Sequence, residues 1–324
     1  MLTGGSAVDL AVIITNWNSR EFLRECLASI EQNSPRFSFE VIVIDNASFD
    51  GSAEMVQREF PGVRYIQSAY NLGFSRANNA AALASTGRIL LFLNPDTKIL
   101  GTALAAMKEC LDSQQDAGIM GCRILNSDGS VQTTAVQAFP TILNQMLDAD
   151  VLRRWFPQSH LWGTAALFSG GTNPVVVDTI SGACLMIRRD VFEQIGGFSA
   201  NYFMYSEDVD ICQKAHLAGW KAYYLPTASI IHYNGQSTKK KPSYFPSLMQ
   251  QESRFIYFSK MRGSLYALCF RASRILIAII RMAIIALLMV VSFDSERRLQ
   301  LRFSMEKWFF ILKWSLGLKR LLQI

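Results

Sequence analysis

The sequence has no CxxC pair and no regular cysteine framework. Its six cysteines (Cys26, Cys110, Cys122, Cys184, Cys212 and Cys269) are scattered along 324 residues. That pattern argues against a disulfide scaffold, and several cysteines fall on apolar faces, as small buried hydrophobes of a reducing compartment do. A signal peptide is also missing: no basic segment and long apolar run open the chain, and LAVIIT (10–15) has only strand length, so the body is expected in the cytosol. Charge is scarce, at 18% of residues against 50% hydrophobic, which excludes wholesale disorder. The body also lacks a basic face. Residues 1–260 carry 21 Lys and Arg against 23 Asp and Glu, whereas 261–324 carry 11 against 3. The net charge of +6 therefore belongs to the C-terminal tail, and no nucleic-acid partner is expected. No internal repeat or long low-complexity stretch occurs, and KKKP (239–242) is the one charge run.

What is present in the first 125 residues is alternation. LAVIIT and FEVIVID (39–45) are short, β-branched apolar runs of the kind buried on both faces of a sheet. Between them Phe22, Leu23, Cys26, Leu27 and Ile30 recur at helical spacing behind Ser19. A helix near 52–60, VRYIQ (63–67), a helix near 75–86 and RILLFLN (88–94) continue the pattern. Strands alternating with helices predict a mostly parallel α/β sheet with right-handed crossovers, whose ligands bind beyond the carboxyl ends of strands. Residues 126–176, with Trp155, Trp162 and an SGGTNP loop, read as a long insertion or flap. Regular structure resumes at VVVDTISGACLMIRR. An acidic helix over 207–218 and two strands, KAYYLP and ASIIHY, follow.

The tail has a different character. ILIAIIRMAIIALLMVVSF (275–293) has the length of a membrane span but contains Arg281. Arg271, Arg274 and Arg281 lie within about 80° of one another on a helical wheel, a basic stripe on an apolar helix. With Trp308, Phe309, Phe310 and Trp314 further on, the tail reads as an amphipathic helical region in an anionic bilayer interface. A single span and a core or oligomerisation helix are the alternatives. The expected division is an α/β domain over 1–260 and a membrane-associated region over 261–324.

The polar signals fall at strand ends. Asp45 closes a buried strand, where it suits a buried acceptor for a base or ribose group or, alternatively, a turn. NLGFSRANN (71–79) offers Gly73 for close backbone approach, Arg76 for a phosphate or base, and Asn78 as a cap or ligand. In LFLNPDT (91–97), Asp96 follows five apolar residues and is presented by Asn94-Pro95. A carboxylate so placed suits a hard divalent cation shared with substrate phosphates, and a capping turn is the alternative. YSEDVDIC (205–212) gathers Glu207, Asp208 and Asp210 behind Ser206, either as an ordinary capped helix start or as carboxylates held for chemistry.

Taken in order, VIITNWN, VIVIDNASFDGS, NLGFSRANN, LFLNPDT, SGACLMIRRDVFEQIGGF, YFMYSEDVDICQKAHLAGW and IIHYNGQS resemble glycosyltransferase family 2 across roughly residues 10–260. The pattern is similar in particular to its rhamnosyltransferase-like branch, which acts in bacterial cell-surface polysaccharide assembly. The resemblance implies a GT-A fold and inverting transfer from a nucleotide-diphosphate sugar. It places Thr15 and Asp45 at the nucleoside with Arg76 nearby, and Asp96 on a Mg2+ or Mn2+ ion held against the diphosphate. Asn94 stands where the family's DxD motif has its first acid. His232 falls where relatives supply a metal or diphosphate ligand, and Asp208 where they have the catalytic base.

Chemistry gives those roles content. A departing diphosphate needs its developing charge stabilised, and an acceptor hydroxyl must lose a proton as it attacks. A single displacement needs one base and inverts the anomeric carbon. Glu207 is then read as facing acceptor hydroxyls or making a capping contact, and Asp210 as pointing to solvent or Lys214. The expected acceptor is a polyprenyl-diphosphate-linked saccharide at the cytoplasmic face of the cell membrane. Two alternatives stand beside this: a catalytically idle nucleotide-sugar scaffold at the membrane, and a sugar nucleotidylyltransferase. The latter would want a Gly- and Arg-rich loop after the first strand, where NWNSREF stands.

Overall fold

A computed structural model of the chain describes residues 8–148, 150–233 and 244–318. The charge run KKKP and the last four residues of IIHYNGQS lie outside the described residues. The alternation read from the sequence is present as β1 (Leu10–Asn16), α1 (Arg20–Gln32), β2 (Phe39–Asp45), α2 (Ser52–Glu59), β3 (Arg64–Gln67), α3 (Gly73–Ala84) and β4 (Ile89–Leu93). The chain continues through β5 (Thr97–Ile99), α4 (Ala103–Ser113) and β6 (Ala117–Leu125). The irregular stretch holds β7 (Val136–Gln137) and three short helices, α5 (Ile142–Met146), α6 (Asp150–Trp155) and α7 (Ala165–Phe168). Then come β8 (Val175–Val177), β9 (Thr179–Ile180), β10 (Cys184–Arg188), α8 (Arg189–Gln194), α9 (Glu207–Leu217) and β11 (Lys221–His232). Three longer helices follow: α10 (Phe245–Arg262), α11 (Ser264–Val291) and α12 (Ser295–Ser315).

By contact, these residues form two compact units: 1–139, 149–203 and 207–240 in the first, and 140–148, 204–206 and 241–324 in the second. The first is built on a sheet of strand order β3-β2-β1-β4-β10-β6-β11-β5, with β8 on β11. β1, β2, β3 and β4 run parallel, as do β6 and β11, while β10 enters antiparallel between β4 and β6. The fold is thus α/β, with a sheet that is parallel over its β3-β2-β1-β4 half. Every residue of LAVII and ILLF is fully enclosed, which is what unbroken apolar runs buried on both faces require.

Helix α1 buries Leu23, Cys26, Leu27 and Ile30 as its spacing demands, each Leu or Ile contributing about 2 kcal/mol of transfer free energy. Cys26, Cys122, Cys184 and Cys212 are buried, and burial pushes the Cys26 and Cys212 thiols up to about 12. They serve as core residues. KAYYLP and ASIIHY form one strand, β11, rather than two. Its register on β6 shifts between Lys221 and Ala222 and again between Leu225 and Ser229, where Pro226 has no N–H to offer the ladder.

In the second unit α10, α11 and α12 pack on one another, and the Ile142 N–H donates to the Tyr266 hydroxyl at 3.0 Å. Helix α11 is the one helix, among the described residues, long and apolar enough to cross a membrane. Its arginine stripe does not face outward. Arg271 donates to the Trp314 carbonyl, Arg274 is 5% exposed against the Phe270 ring, and Arg281 lies 5.7 Å over Trp308. The outward residues are instead Leu276, Leu287 and Val290, each more than half exposed. A wheel shows that three arginines share a face but not which way it turns. Cation–π and carbonyl contacts decided that here.

Candidate active site

Three parallel strands end in register at one polar cluster, with Asn16 opposite Asp45 and Asp45 opposite Gln67. Asp45 is fully buried and accepts three hydrogen bonds: from Asn16 Nδ2 at 2.6 Å, the Ser48 N–H at 2.7 Å and Gln67 Nε2 at 2.9 Å. An ionised carboxylate has about four acceptor sites, so these three bonds fill most of them. Burial, with the Asp45 charge next, raises the Tyr65 phenol. Beside this anchor, the Thr15 Oγ1 is enclosed without a hydrogen-bond partner among the described residues. The loops after β1 and β2 are buttoned together, because Ser48 Oγ accepts the Asn18 N–H and Asn18 Oδ1 accepts the Phe49 N–H. Asn18 and Ala47 both take left-handed backbone, a strain of order 1–3 kcal/mol that clusters at working sites.

The NPD turn at the end of β4 folds straight back as β5, which pairs antiparallel with the end of β11. This brings His232 to residues more than 130 positions earlier. His232 Nε2 lies 3.2 Å from Asp96 Oδ1 and 3.3 Å from Asn94 Nδ2, and the Tyr233 N–H donates to the Asp96 carbonyl. Asp96 is 5% exposed, so its charge sits where a cation is the natural partner. Gln132, from the loop after β6, holds His232 from behind: Gln132 Oε1 is 3.1 Å from Nδ1, and Gln132 Nε2 donates to the His232 carbonyl at 2.6 Å.

No group of three or more His, Cys, Asp or Glu suited to a metal occurs among the described residues. Among the described residues, Asp96 and His232 offer one carboxylate and one imidazole at this turn. Asp96 and His232 would suit a divalent ion that leaves positions open to a ligand, and a nitrogen donor favours a transition ion such as Mn2+.

Asp208 stands in the first turn of α9. Its Oδ2 accepts the Gly182 N–H at 3.0 Å and its Oδ1 the Val209 N–H at 2.8 Å. Gly182 precedes Ala183, whose carbonyl takes the Asn94 N–H at 3.1 Å, and Leu93 pairs with both Ile14 and Cys184. A short path of hydrogen bonds thus joins Asp208 to the NPD turn and to the end of β1. The other acids differ. Glu207 is buried at 7% exposed. Asp210 does not point to solvent: it is fully enclosed, accepting Ser199 Oγ at 2.6 Å and Tyr202 OH at 3.2 Å, with Lys214 Nζ at 3.8 Å. Two hydroxyls on the approach to α9 fold it inward.

Tyr205 and Ser206, just ahead, carry φ of 70° and 65°, so Ser206 is left-handed rather than extended as a capping residue usually is. Arg76 is exposed on the first turn of α3, and its Nε donates to the Ala200 carbonyl at 3.2 Å. Nearby, Gly73 takes a positive φ, and a Cβ there would come within 2.6 Å of the Phe203 carbonyl.

The sequence singled out Asp45 and His232 but not the residues hydrogen-bonded to them, Asn16, Gln67 and Gln132. Asn16 and Gln67, at the ends of β1 and β3, could have been found by the same strand-end rule that singled out Asp45. Gln132 lies in an irregular stretch with no periodic signal.

A family model described as Glycosyl transferase family 2 matches residues 11–196, and one described as Glycosyl transferase family group 2 matches 140–318. The N-acetylglucosaminyl-diphospho-decaprenol L-rhamnosyltransferase of Mycobacterium tuberculosis is 30% identical over 249 residues, covering 72% of this chain and 79% of the relative. Rhamnosyltransferase WbbL of Escherichia coli K12 is 23% identical, over 78% of this chain and 93% of its own. Among solved structures, mannosyltransferase PcManGT from Pyrobaculum calidifontis, in complex with GDP-Man and Mn2+, superposes with a TM-score of 0.57 at 16% identity. It covers 97% of this chain and 89% of its own, a likeness of fold.

Proposed function

The chain belongs to glycosyl transferase family 2 and is a glycosyltransferase of GT-A fold, and from that premise we propose the reaction it carries out. It moves a sugar, rhamnose first among the candidates, from a nucleotide-diphosphate donor to a hydroxyl of a polyprenyl-diphosphate-linked saccharide in bacterial cell-surface polysaccharide assembly. The substrate class is supported by the relatives, one of which is named for a diphospho-decaprenol acceptor. The observation that carries the chemistry is Asp208. The backbone N–H groups of Gly182 and Val209 hold its carboxylate, and Gly182 belongs to the segment that also receives the Asn94 N–H.

In this reading Asp208 takes the proton of the acceptor hydroxyl as that oxygen attacks the anomeric carbon, and the configuration inverts in one displacement. Thr15 Oγ1 and the remaining acceptor site of Asp45 receive the nucleoside, with Arg76 on the flank. Asp96 and His232 would hold a Mg2+ or Mn2+ ion, which when bound supplies positive charge to the departing diphosphate. Glu207, beside the base, orients acceptor hydroxyls. The donor side thus lies at the ends of β1, β2 and β4, and the acceptor side at the start of α9.

The division of labour is a catalytic domain over residues 1–260 and a membrane-associated region over 261–324. The outward apolar face of α11 supports contact with the cytoplasmic face of the cell membrane, where a polyprenyl acceptor resides.

The test uses purified protein with Mn2+ or Mg2+, a panel of nucleotide sugars and a polyprenyl-diphosphate saccharide. Release of nucleoside diphosphate with a lengthened lipid-linked product is expected. Neither transfer nor donor hydrolysis with any donor would instead indicate a scaffold. Pyrophosphate release from a nucleoside triphosphate would indicate a nucleotidylyltransferase.

A further inference from the structure

We propose that Gln132 is a positioning residue that fixes which nitrogen of His232 faces Asp96, and so sets the affinity of that pair for a divalent cation. The proposal rests on the reading of Asp96 and His232 as metal ligands. It adds a residue from the irregular stretch between β6 and β7.

The hydrogen-bond chemistry leaves one solution for Nδ1. A backbone carbonyl can only accept, so the Gln132 atom 2.6 Å from the His232 carbonyl must be its amide nitrogen. The Gln132 atom 3.1 Å from Nδ1 is then the amide oxygen, which can also only accept. Nδ1 must therefore carry the proton. In neutral imidazole this leaves the Nε2 lone pair directed at Asn94 Nδ2, 3.3 Å away, and at Asp96 Oδ1, 3.2 Å away. Asn94 Nδ2 is a compatible donor there. Asp96 Oδ1 is a second lone-pair atom, and two such atoms converging in a buried place suit a cation between them.

The opposite ring tautomer would direct an N–H at that place and could not ligate. Gln132 is itself held fast. It is 6% exposed, its N–H donates to the Ile124 carbonyl at 2.9 Å, and its carbonyl receives the Ala135 N–H. Its grip on both ring and carbonyl also leaves the end of β11 little freedom to turn the imidazole away. A partner on the distal ring nitrogen is how metal-binding histidines are generally oriented, and losing one typically costs 10–100-fold in metal affinity.

The experiment titrates the metal-free full chain with Mn2+ alone, following free Mn2+ by electron paramagnetic resonance, with thermal melting as a check on folding. Gln132→Met conserves volume but removes both hydrogen bonds, and should weaken Mn2+ binding about 10–100-fold. Gln132→Glu keeps an acceptor for the Nδ1 proton and should bind more tightly than the Met variant. His232→Ala should lose at least as much as Gln132→Met, and the double variant no more than His232→Ala. If Gln132→Met binds like the wild type while His232→Ala does not, the proposal is overturned and the metal reading stands. If Glu is no better than Met, the hold on the carbonyl rather than the ring is responsible, and the proposal again fails. If His232→Ala binds Mn2+ as the wild type does, the underlying metal assignment falls, and this proposal with it.

Discussion

Asp208 Oδ2 accepts the backbone N–H of Gly182 at 3.0 Å, and the next carbonyl along, that of Ala183, takes the N–H of Asn94. The carboxylate proposed as base is therefore placed by the residues leading into β10, not by its own helix alone. β10 runs antiparallel to β4, so the same strand pair that presents the NPD turn also fixes Asp208.

That relationship makes Gly182 a sensitive position. A Cβ there would meet Asp208 Cβ at 3.5 Å and the Phe74 ring at 3.6 Å, which is ordinary contact. Gly182→Ala should keep kcat within a few-fold. Gly182→Val should push Asp208 aside and cost about 100-fold in kcat at unchanged melting temperature, since a displacement near 1 Å has that effect. Steady-state kinetics on the two variants checks this.

The NPD turn supplies a second prediction. Chelation should abolish transfer and Mn2+ restore it, while Asp96→Ala should defeat the restoration. Asn94→Asp adds a carboxylate beside His232 and should tighten Mn2+ binding on the order of tenfold, because ligand charge sets affinity at such sites. Calorimetric titration with Mn2+ reads both variants.

For α11, the outward face carries the expectation. Leu276 and Leu287 are 52% and 70% exposed while Arg274 is buried. Changing either leucine to Asp should lower partitioning onto anionic vesicles by at least about tenfold, since a buried Leu is worth roughly 2 kcal/mol. Deleting residues 264–324 should abolish it. Co-sedimentation with vesicles measures both, and unchanged partitioning would count against membrane contact through this helix.

Acid stability follows from Asp112, which receives both guanidinium nitrogens of Arg88 at 3.0 and 3.1 Å and the Lys108 ammonium at 2.9 Å. Desolvation pushes its carboxyl up, but the two cations outweigh it and leave it at about 2, from 3.8. A depressed folded-state value means that the contribution is complete above the unfolded value. It is lost as pH falls from near 4 towards 2. Asp112→Asn should therefore lower the melting temperature at pH 7 and flatten its decline between pH 4 and pH 2.

What was legible in the sequence was whatever local chemistry settles. The doubly buried runs of β1, β2 and β4 could be read because an apolar, β-branched run of that length has few other uses. Asp45 and Asp96 stood out as carboxylates at the ends of apolar strands, whereas Asp208 was separated from Glu207 and Asp210 only by the resemblance to the family. What could not be read depended on tertiary pairing. The return of β5 onto β11 brings His232 to Asp96, and only then does Gln132 acquire a partner. Asp210 shares its motif with Asp208, yet Ser199 and Tyr202 turn it into a buried anchor. The arginines of α11 were visible as a stripe, but their inward direction depends on Trp308 and Trp314.

The most direct measurement compares wild type with Asp208→Asn for sugar transfer to the lipid-linked acceptor and, separately, for binding of nucleoside diphosphate with Mn2+. Removing a general base should lower kcat by about 100- to 10,000-fold, and nucleotide affinity should stay within about twofold if Asp208 serves the acceptor as proposed. A variant that retains most of its transfer activity would contradict the assignment of Asp208 as the base.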